Sequence, residues 1–212
     1  MAVRKTVTQQ AEEHLLSLVA QGVLHPGQPL RVEALCAQYG FTYTPLREAM
    51  RSLAAQGLLE YATNRGYRLP EVKADELVAL YQIREALEGM AARLLAGRIS
   101  RAQLSELDAL ACERDAASES NQGGTSSAIN ADMQFHRLVA EWCGNAFLPK
   151  CLLAPNILVR SIVRPSSFGD VDRALETGHR PIVEALADGD PERAEAAMRA
   201  HIREACRNAL TA

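Results

Sequence analysis

Four side chains in the C-terminal half of this 212-residue sequence have the types and the spacing of a metal site. Asp132 and His136 are four residues apart, so a helix would place both on one face, one turn apart. His179 and His201 lie equally far before and after Asp190, positions that an antiparallel helical hairpin brings level. One carboxylate and three imidazoles suit a divalent transition metal, with zinc as the first choice and nickel, manganese or iron as alternatives.

Arg84 is a second unusual residue, because it falls on the apolar stripe of a predicted helix. A buried guanidinium requires an anion. Glu88, one turn later, can supply it, and an internal ion pair is the simpler interpretation. The alternative is that Arg84 binds the carboxylate of a small effector beside the metal. Asn156 and Arg160 interrupt another apolar segment and are further candidates for effector binding.

The C-terminal part of the chain, which would position these residues, shows helical periodicity almost throughout from residue 75 onward. The predicted helices span 75–97, 101–118, 126–143, 146–163, 171–187 and 191–209, and turn residues separate them. Pro149 and Pro155 predict a kink or a break in the fourth of these helices. We therefore expect an all-α bundle of about six helices at 76–212, after a linker at 71–75.

Residues 1–70 show a different pattern, which predicts a winged helix-turn-helix, so that the chain is mainly α overall. A first helix at about 8–21 precedes a short helix that ends at Gly40, where a left-handed residue is favoured. Thr42 or Thr44 can cap the next helix, and Pro45 falls in its first turn. The strands are predicted at Leu58–Tyr61 and Gly66–Leu69.

This arrangement predicts DNA binding, since a winged helix-turn-helix places its second helix in the major groove. The residues expected to contact DNA lie at the start and on one face of that helix and on the wing: Thr42, Tyr43, Thr44, Arg47, Arg51, Arg65, Gly66 and Arg68. The alternative interpretation is that Arg47 and Arg51 form an ordinary solvated helix face. The joint occurrence of turn, capped helix and basic hairpin favours DNA binding.

Composition agrees with a helical protein of two parts. Apolar residues make up 48% of the chain and aromatic residues only 5%, which favours helices over a sandwich or barrel. The net charge of −3 hides an asymmetry, because residues 1–70 carry +2 and residues 71–212 carry −5. The positive excess therefore coincides with the predicted DNA-binding motif.

The five cysteines are scattered singly, which favours buried apolar roles in a reducing compartment over disulfides or a thiolate zinc site. No apolar run reaches membrane-spanning length, and the N-terminus lacks the apolar core of a secretory signal. We therefore expect a cytoplasmic protein without a membrane partner.

Several of these motifs resemble the GntR superfamily of bacterial transcription regulators, in the FadR-like branch with an FCD sensing domain. The resemblance is carried by the run TYTPLREAM at 42–50, by Gly57-Leu58-Leu59 and by Asn64-Arg65-Gly66 at the wing tip. In the bundle it is carried by Arg84, Glu88, Asp132, Phe135, His136, His179 and His201. The resemblance implies a metal at the Asp and three His residues, a homodimer on a palindromic operator, and a small carboxylic acid as effector.

The sequence departs from the family pattern at Tyr43, where an arginine is common, and at Thr42, where the family has serine. The loss of an arginine removes a possible bidentate guanine contact, worth about 1–3 kcal/mol of discrimination. Either the operator differs at that base pair, or Tyr43 contacts a phosphate or a thymine methyl group.

The leading hypothesis is therefore a ligand-responsive DNA-binding regulator and not an enzyme, because no nucleophile–base pair stands out near the predicted ligands. Three alternatives remain open. The ion itself could be the signal, the ion could be purely structural, or the site could belong to a mononuclear metalloenzyme.

Overall fold

The N-terminal part of the chain folds as a compact unit of three helices and a small sheet. The computed structural model describes residues 5–119, 126–162 and 178–211. Residues up to Lys73, together with residues 160–162, form one compact unit, and the described residues of 74–159 and 178–211 form a second. The first contains α1 (Val7–Ala20), β1 (Pro29–Leu30), α2 (Val32–Tyr39), α3 (Tyr43–Ala55), β2 (Glu60–Ala62) and β3 (Gly66–Arg68).

Helix α1 begins with a capping box. The backbone N–H of Gln9 donates to Thr6 Oγ1 at 3.1 Å, and the backbone N–H of Thr6 donates to Gln9 Oε1 at 2.8 Å. The helix packs on α3, and the apolar faces of the two helices, including Leu15, Leu46 and Met50, are buried in the core of the unit. This core supports α3 from behind.

The turn between α2 and α3 follows the sequence prediction. Gly40 adopts a left-handed conformation with φ 74°, which ends α2, and Pro45 lies in the first turn of α3. The predicted side-chain cap is wrong for Thr42. Thr42 occupies the N-cap position in extended conformation, but its hydroxyl makes no capping hydrogen bond.

The wing contains three strands in the order β1-β3-β2, all antiparallel. The prediction missed β1, which pairs Leu30 with Tyr67, because two residues are too short to show alternation. The predicted strand starting at Leu58 was also wrong. The N–H groups of Leu58 and Leu59 both donate to Leu53 O, so these two buried leucines close α3, and strand β2 starts at Glu60.

In the second unit, all regular elements among the described residues are helices, as predicted. It contains α4 (Ala74–Leu95), α5 (Arg101–Glu119), α6 (Ser126–Trp142), α7 (Leu148–Ile162) except its last three residues, α8 (Arg180–Ala187) and α9 (Pro191–Thr211). Helix α4 lies along α9, α5 lies along α6, and α8 and α9 form a hairpin. Phe135, Ile182, Met198 and Ile202 are fully buried in its core.

Two helix predictions need correction. Helix α7 continues through Pro155, so the predicted break is wrong, while the predicted kink stays a prediction. The helix predicted at 171–187 begins at Arg180, and residues 171–177 lie outside the described part of the chain. His179 is therefore the residue that precedes α8 and not a member of its interior.

Over residues 5–119, 126–162 and 178–211, no helix combines the length and the apolar character needed to cross a bilayer.

Candidate functional site

Helix α3 presents a polar face that is supported by a fully apolar one. Leu46, Met50 and Leu53 are buried, whereas Tyr43 and Arg47 are exposed. Arg51 is also exposed, but its Nη2 lies 2.8 Å from Glu48 Oε2, so this arginine has an intrahelical partner. Arg47 has no ion-pair partner among the described residues, which leaves its guanidinium available to an external acceptor.

The wing tip places one arginine at the turn and another in a strand. Asn64 and Gly66 have φ values of 65° and 76°, a left-handed turn that suits these two residue types and exposes Arg65 between them. Arg68 is opposite Glu60 in the sheet, and its Nε donates to Glu60 Oε2 at 2.6 Å. The two wing arginines therefore differ in their electrostatic environment, a difference the sequence did not reveal.

The predicted metal ligands come together in the second unit. One ligand atom each from Asp132, His136, His179 and His201 lies within 4.8 Å of all the others. The Nε2 atom of His136 is 3.3 Å from Nε2 of His179 and 3.2 Å from Nε2 of His201. Asp132 Oδ1 is 3.5 Å from Nε2 of His179. We refer to these four residues as the histidine centre.

Three different segments build the histidine centre. Asp132 and His136 lie one turn apart on α6, His179 immediately precedes α8, and His201 lies on α9. The three histidines are buried, while the Asp132 side chain is 35% exposed. The carboxylate is therefore the part of the centre that is open to the surface. His179 is held by the Phe135 ring, which stacks on its imidazole at a centroid distance of 4.0 Å.

Helix α4 supplies a buried ion pair next to the centre. Arg84 Nε donates to Glu88 Oε1 at 2.7 Å, which is the internal pair given above as the simpler interpretation. The other carboxylate oxygen, Glu88 Oε2, lies 2.5 Å from Nδ1 of His136. Glu88 thus connects the arginine to a residue of the centre, a contact between α4 and α6 that helical spacing could not predict.

The electrostatics of the centre favour a neutral His179 and ionised carboxylates at Glu88 and Asp132. Burial lowers the pKa of His179 well below its ordinary value, and the neighbouring His201 and Arg114 act in the same direction. Burial works to raise the pKa of Glu88, but Arg84 and His136 outweigh it and lower that pKa to about 2. Asp132 behaves similarly, since His136 and Arg114 lower its pKa against the effect of burial. Neutral imidazole and ionised carboxylate are the protonation states that bind cations.

Sequence analysis missed Arg114. Its Nε lies 3.2 Å from Asp132 Oδ1, and the residue is only 5% exposed. A usable signal existed, because Arg114 continues the buried stripe of Leu107, Leu110 and Ala111 on α5. The same criterion, an arginine on an apolar stripe, had identified Arg84.

Helix α7 carries the two further effector candidates. Asn156 lies in α7, and its side-chain oxygen is buried without a hydrogen-bond partner among the described residues. Arg160 belongs to the same helix, but its side chain lies outside the described part of the chain. Both assignments therefore stay predictions.

A winged helix-turn-helix unit together with a helical unit that has a buried polar centre defines a DNA-binding regulator with a sensing domain. Comparison with known proteins agrees. Residues 7–69 match the family described as bacterial regulatory proteins, gntR family, and residues 79–204 match the FCD domain. The chain belongs to the GntR family of transcription regulators and carries an FCD domain.

Relatives of known description extend over nearly the whole chain. A probable D-xylose utilization operon transcriptional repressor of Paenarthrobacter nicotinovorans is 38% identical over 94% of this chain and 87% of its own. Among solved structures, Escherichia coli McbR/YncC has a TM-score of 0.78 at 24% identity and covers 94% of this chain and 95% of its own. A GntR regulator from Rhodococcus has a TM-score of 0.71 at 21% identity, over 97% and 98% of the two chains. The solved structures support the fold alone.

Proposed function

We propose that this regulator holds a divalent metal ion, with zinc as the first choice, and a small organic acid in its helical unit. We further propose that the acid changes the affinity of a homodimer for palindromic operator DNA. The observation that carries the proposal is the histidine centre, where four ligand atoms from three segments lie within 4.8 Å of one another.

Two nitrogen–nitrogen distances within the centre match the ligand spacing around a metal ion. Ligand nitrogens about 2.1 Å from zinc stand about 3.4 Å apart in a tetrahedron and about 3.0 Å apart in an octahedron. The Nε2 separations of 3.2 and 3.3 Å around His136 fall between those values. The ion would be held by Nε2 of the three histidines and by Oδ1 of Asp132, a donor set that also accepts nickel, manganese or iron.

The charges around the centre support an anionic effector. The two buried arginines, Arg84 and Arg114, balance the carboxylates of Glu88 and Asp132. A bound divalent ion would therefore leave excess positive charge there and would supply a Lewis acid for carboxylate oxygens. The half-exposed Asp132 marks the accessible side of the centre. Arg84 uses Nε for Glu88, one of its five N–H donors, so we retain its proposed role in binding the acid.

For the DNA-binding unit, we propose that α3 enters the major groove and that the wing contacts the backbone. Arg47, with Thr42, Tyr43 and Thr44, would read or orient on each half-site, and Arg51, Arg65, Gly66 and Arg68 would contact phosphates. The relative from Paenarthrobacter nicotinovorans is described as a repressor, which favours repression for this chain.

For the homodimer, we propose that the second copy packs on the outer face of α4. Ile83 and Met90 are 45% and 40% exposed, and Ala79, Leu87 and Leu94 continue the same apolar row at helical spacing. Such a row on a helix favours self-association, and a dimer matches the two-fold symmetry of a palindromic operator.

The proposal is tested on full-length protein that is stripped with a chelator and then reloaded with zinc alone. An operator duplex selected by the protein from random sequences reports DNA affinity, and calorimetry reports the binding of succinate and of D-xylose, the sugar in the relative's name. We expect about one zinc per chain and zinc-dependent binding of succinate that alters DNA affinity.

Each component can fail separately. A wild-type protein that takes up no zinc would end the metal assignment. Succinate binding that is equally strong without zinc would remove the link between acid and metal. If D-xylose and not succinate changed DNA affinity, the effector would be a sugar, and if zinc alone did so, the ion would be the signal.

A further inference from the structure

The carboxylate of Glu88 is shared between two partners on opposite sides. Its Oε1 accepts from Arg84 Nε at 2.7 Å, and its Oε2 lies 2.5 Å from His136 Nδ1. Glu88 is only 1% exposed, so water does not compete for either oxygen. The carboxylate is therefore held in one orientation, with Arg84 at one oxygen and His136 at the other.

This contact determines which nitrogen of His136 carries the proton. A carboxylate accepts but cannot donate, so a neutral His136 places its proton on Nδ1, facing Glu88. The other nitrogen, Nε2, is then unprotonated, and it is the atom that lies 3.2–3.3 Å from the two neighbouring imidazoles.

We propose that Glu88 is a positioning residue that holds His136 in the Nδ1–H tautomer and so keeps its Nε2 available as a ligand. The effect of Glu88 on metal affinity rests on the metal site proposed above. Its effect on the tautomer of His136 does not depend on that site. Arg84 acts one step further away by fixing the orientation of the carboxylate. A carboxylate behind a ligating histidine orients the ring and strengthens the ligand.

The substitution Glu88→Gln tests this role because the amide is nearly the same size but has one accepting and one donating end. Arg84 is a donor, so it selects the amide oxygen and turns the NH₂ group toward His136. That group requires an acceptor at Nδ1, which moves the His136 proton to Nε2. The protonated Nε2 cannot ligate a metal, so the variant disables this ligand atom while all four side chains of the histidine centre stay in place.

A matched control lies one turn earlier on the same helix. Glu85 pairs with Arg199 and Arg203, both at 3.1 Å, and does not belong to the histidine centre. Glu85→Gln therefore removes a comparable carboxylate from an ion-pair network on α4 while leaving His136 and its partner unchanged.

The first measurement is the tautomer of His136 in metal-free full-length protein, read from the nitrogen chemical shifts of ¹⁵N-labelled histidine and assigned with His136→Ala. We expect the Nδ1–H form in the wild type and in Glu85→Gln, and the Nε2–H form in Glu88→Gln. A wild-type His136 that carries its proton on Nε2 would overturn the proposal even if the Glu88 variant failed to fold.

The second measurement is zinc affinity by calorimetry with a competing chelator. We expect Glu88→Gln to weaken zinc binding about 10- to 100-fold and Glu85→Gln to leave it unchanged. Equal zinc affinity in wild type and Glu88→Gln would reject the positioning role while the metal site stood. Absence of zinc binding in the wild type would reject the metal site, and the tautomer measurement would still decide the orientation of His136.

Discussion

Glu60 and Arg68 face each other across β2 and β3, with Arg68 Nε only 2.6 Å from Glu60 Oε2. The pair neutralises one of the two wing arginines within the protein, whereas Arg65 at the tip is exposed and has no ion-pair partner among the described residues. The wing therefore presents its positive charge mainly at the turn. Two arginines that look equivalent in the sequence should contribute differently to DNA binding.

We expect Arg65→Ala to weaken operator binding and to reduce the slope of log affinity against log salt by about one, since one phosphate contact is lost. Arg68→Ala should have a smaller effect, and Glu60→Gln should strengthen binding by releasing Arg68, by up to about 1 kcal/mol. Fluorescence anisotropy at several salt concentrations measures all three variants. Equal losses for Arg65→Ala and Arg68→Ala would contradict this view of the wing.

Arg47 and Arg51 on the exposed face of α3 should also contribute differently to DNA binding. Arg47→Ala should lower operator affinity by about 1–3 kcal/mol and relax specificity at one base pair. Arg51 is paired with Glu48, so Arg51→Ala should weaken binding to all sequences without changing specificity. Gel-shift titrations on operator and scrambled duplexes separate the two effects. The control is Arg101→Ala, an exposed position of the other unit. An Arg47→Ala protein with full operator affinity would contradict the assignment of Arg47 as a DNA-contacting residue.

The proposed metal should stabilise the folded protein. At a free zinc concentration of about 100 times Kd, binding contributes about 2.7 kcal/mol to the free energy of unfolding. We expect zinc to raise the Tm of the wild type and to leave that of His201→Ala nearly unchanged, as followed by differential scanning calorimetry. His25→Ala removes an exposed histidine of the DNA-binding unit and should respond to zinc like the wild type. A similar rise in the His201 variant would argue against its role as a ligand.

Tyr81 provides a test of burial near the centre. Burial raises the pKa of its hydroxyl from 10.0 to about 12, and nearby Arg84 opposes this only in part. Because the folded-state pKa lies above the unfolded value, the stability contributed by neutral Tyr81 is fully present below pH 10 and is lost as pH rises through about 12. The difference in absorbance at 295 nm between wild type and Tyr81→Phe should therefore develop near pH 12. A difference that develops near pH 10 in folded protein would show that the ring is solvated.

The apolar row on α4 predicts how the homodimer can be disrupted. Ile83→Asp would place a charge among exposed apolar side chains that a second copy covers, so sedimentation velocity should show a shift toward monomer. Gln82→Asp introduces the same charge at an exposed neighbouring position and should leave the association unchanged. An Ile83→Asp protein that sediments as the wild type would place the dimer contact elsewhere.

Local features of this protein could be predicted from sequence because their causes lie within a few residues. Gly40 ends α2 through its own backbone conformation, and Pro45 begins α3 because its missing N–H is not needed there. Predicting that Asp132 and His136 lie on one face required only that they belong to a helix. Predicting that His179 and His201 lie level with each other required one further assumption, a helical hairpin around the turn near Asp190. Helices α8 and α9 form that hairpin.

Features that depend on which elements meet were decided by the tertiary structure. The pairing of Arg68 with Glu60 depends on strand register, the contact of Glu88 with His136 depends on α4 meeting α6, and Arg114 reaches Asp132 only because α5 packs along α6. Helical periodicity states which face of a helix is buried but not which neighbour covers it. The sequence by itself therefore determined the two kinds of unit and the four residues of the histidine centre, while long-range packing decided which charges surround them.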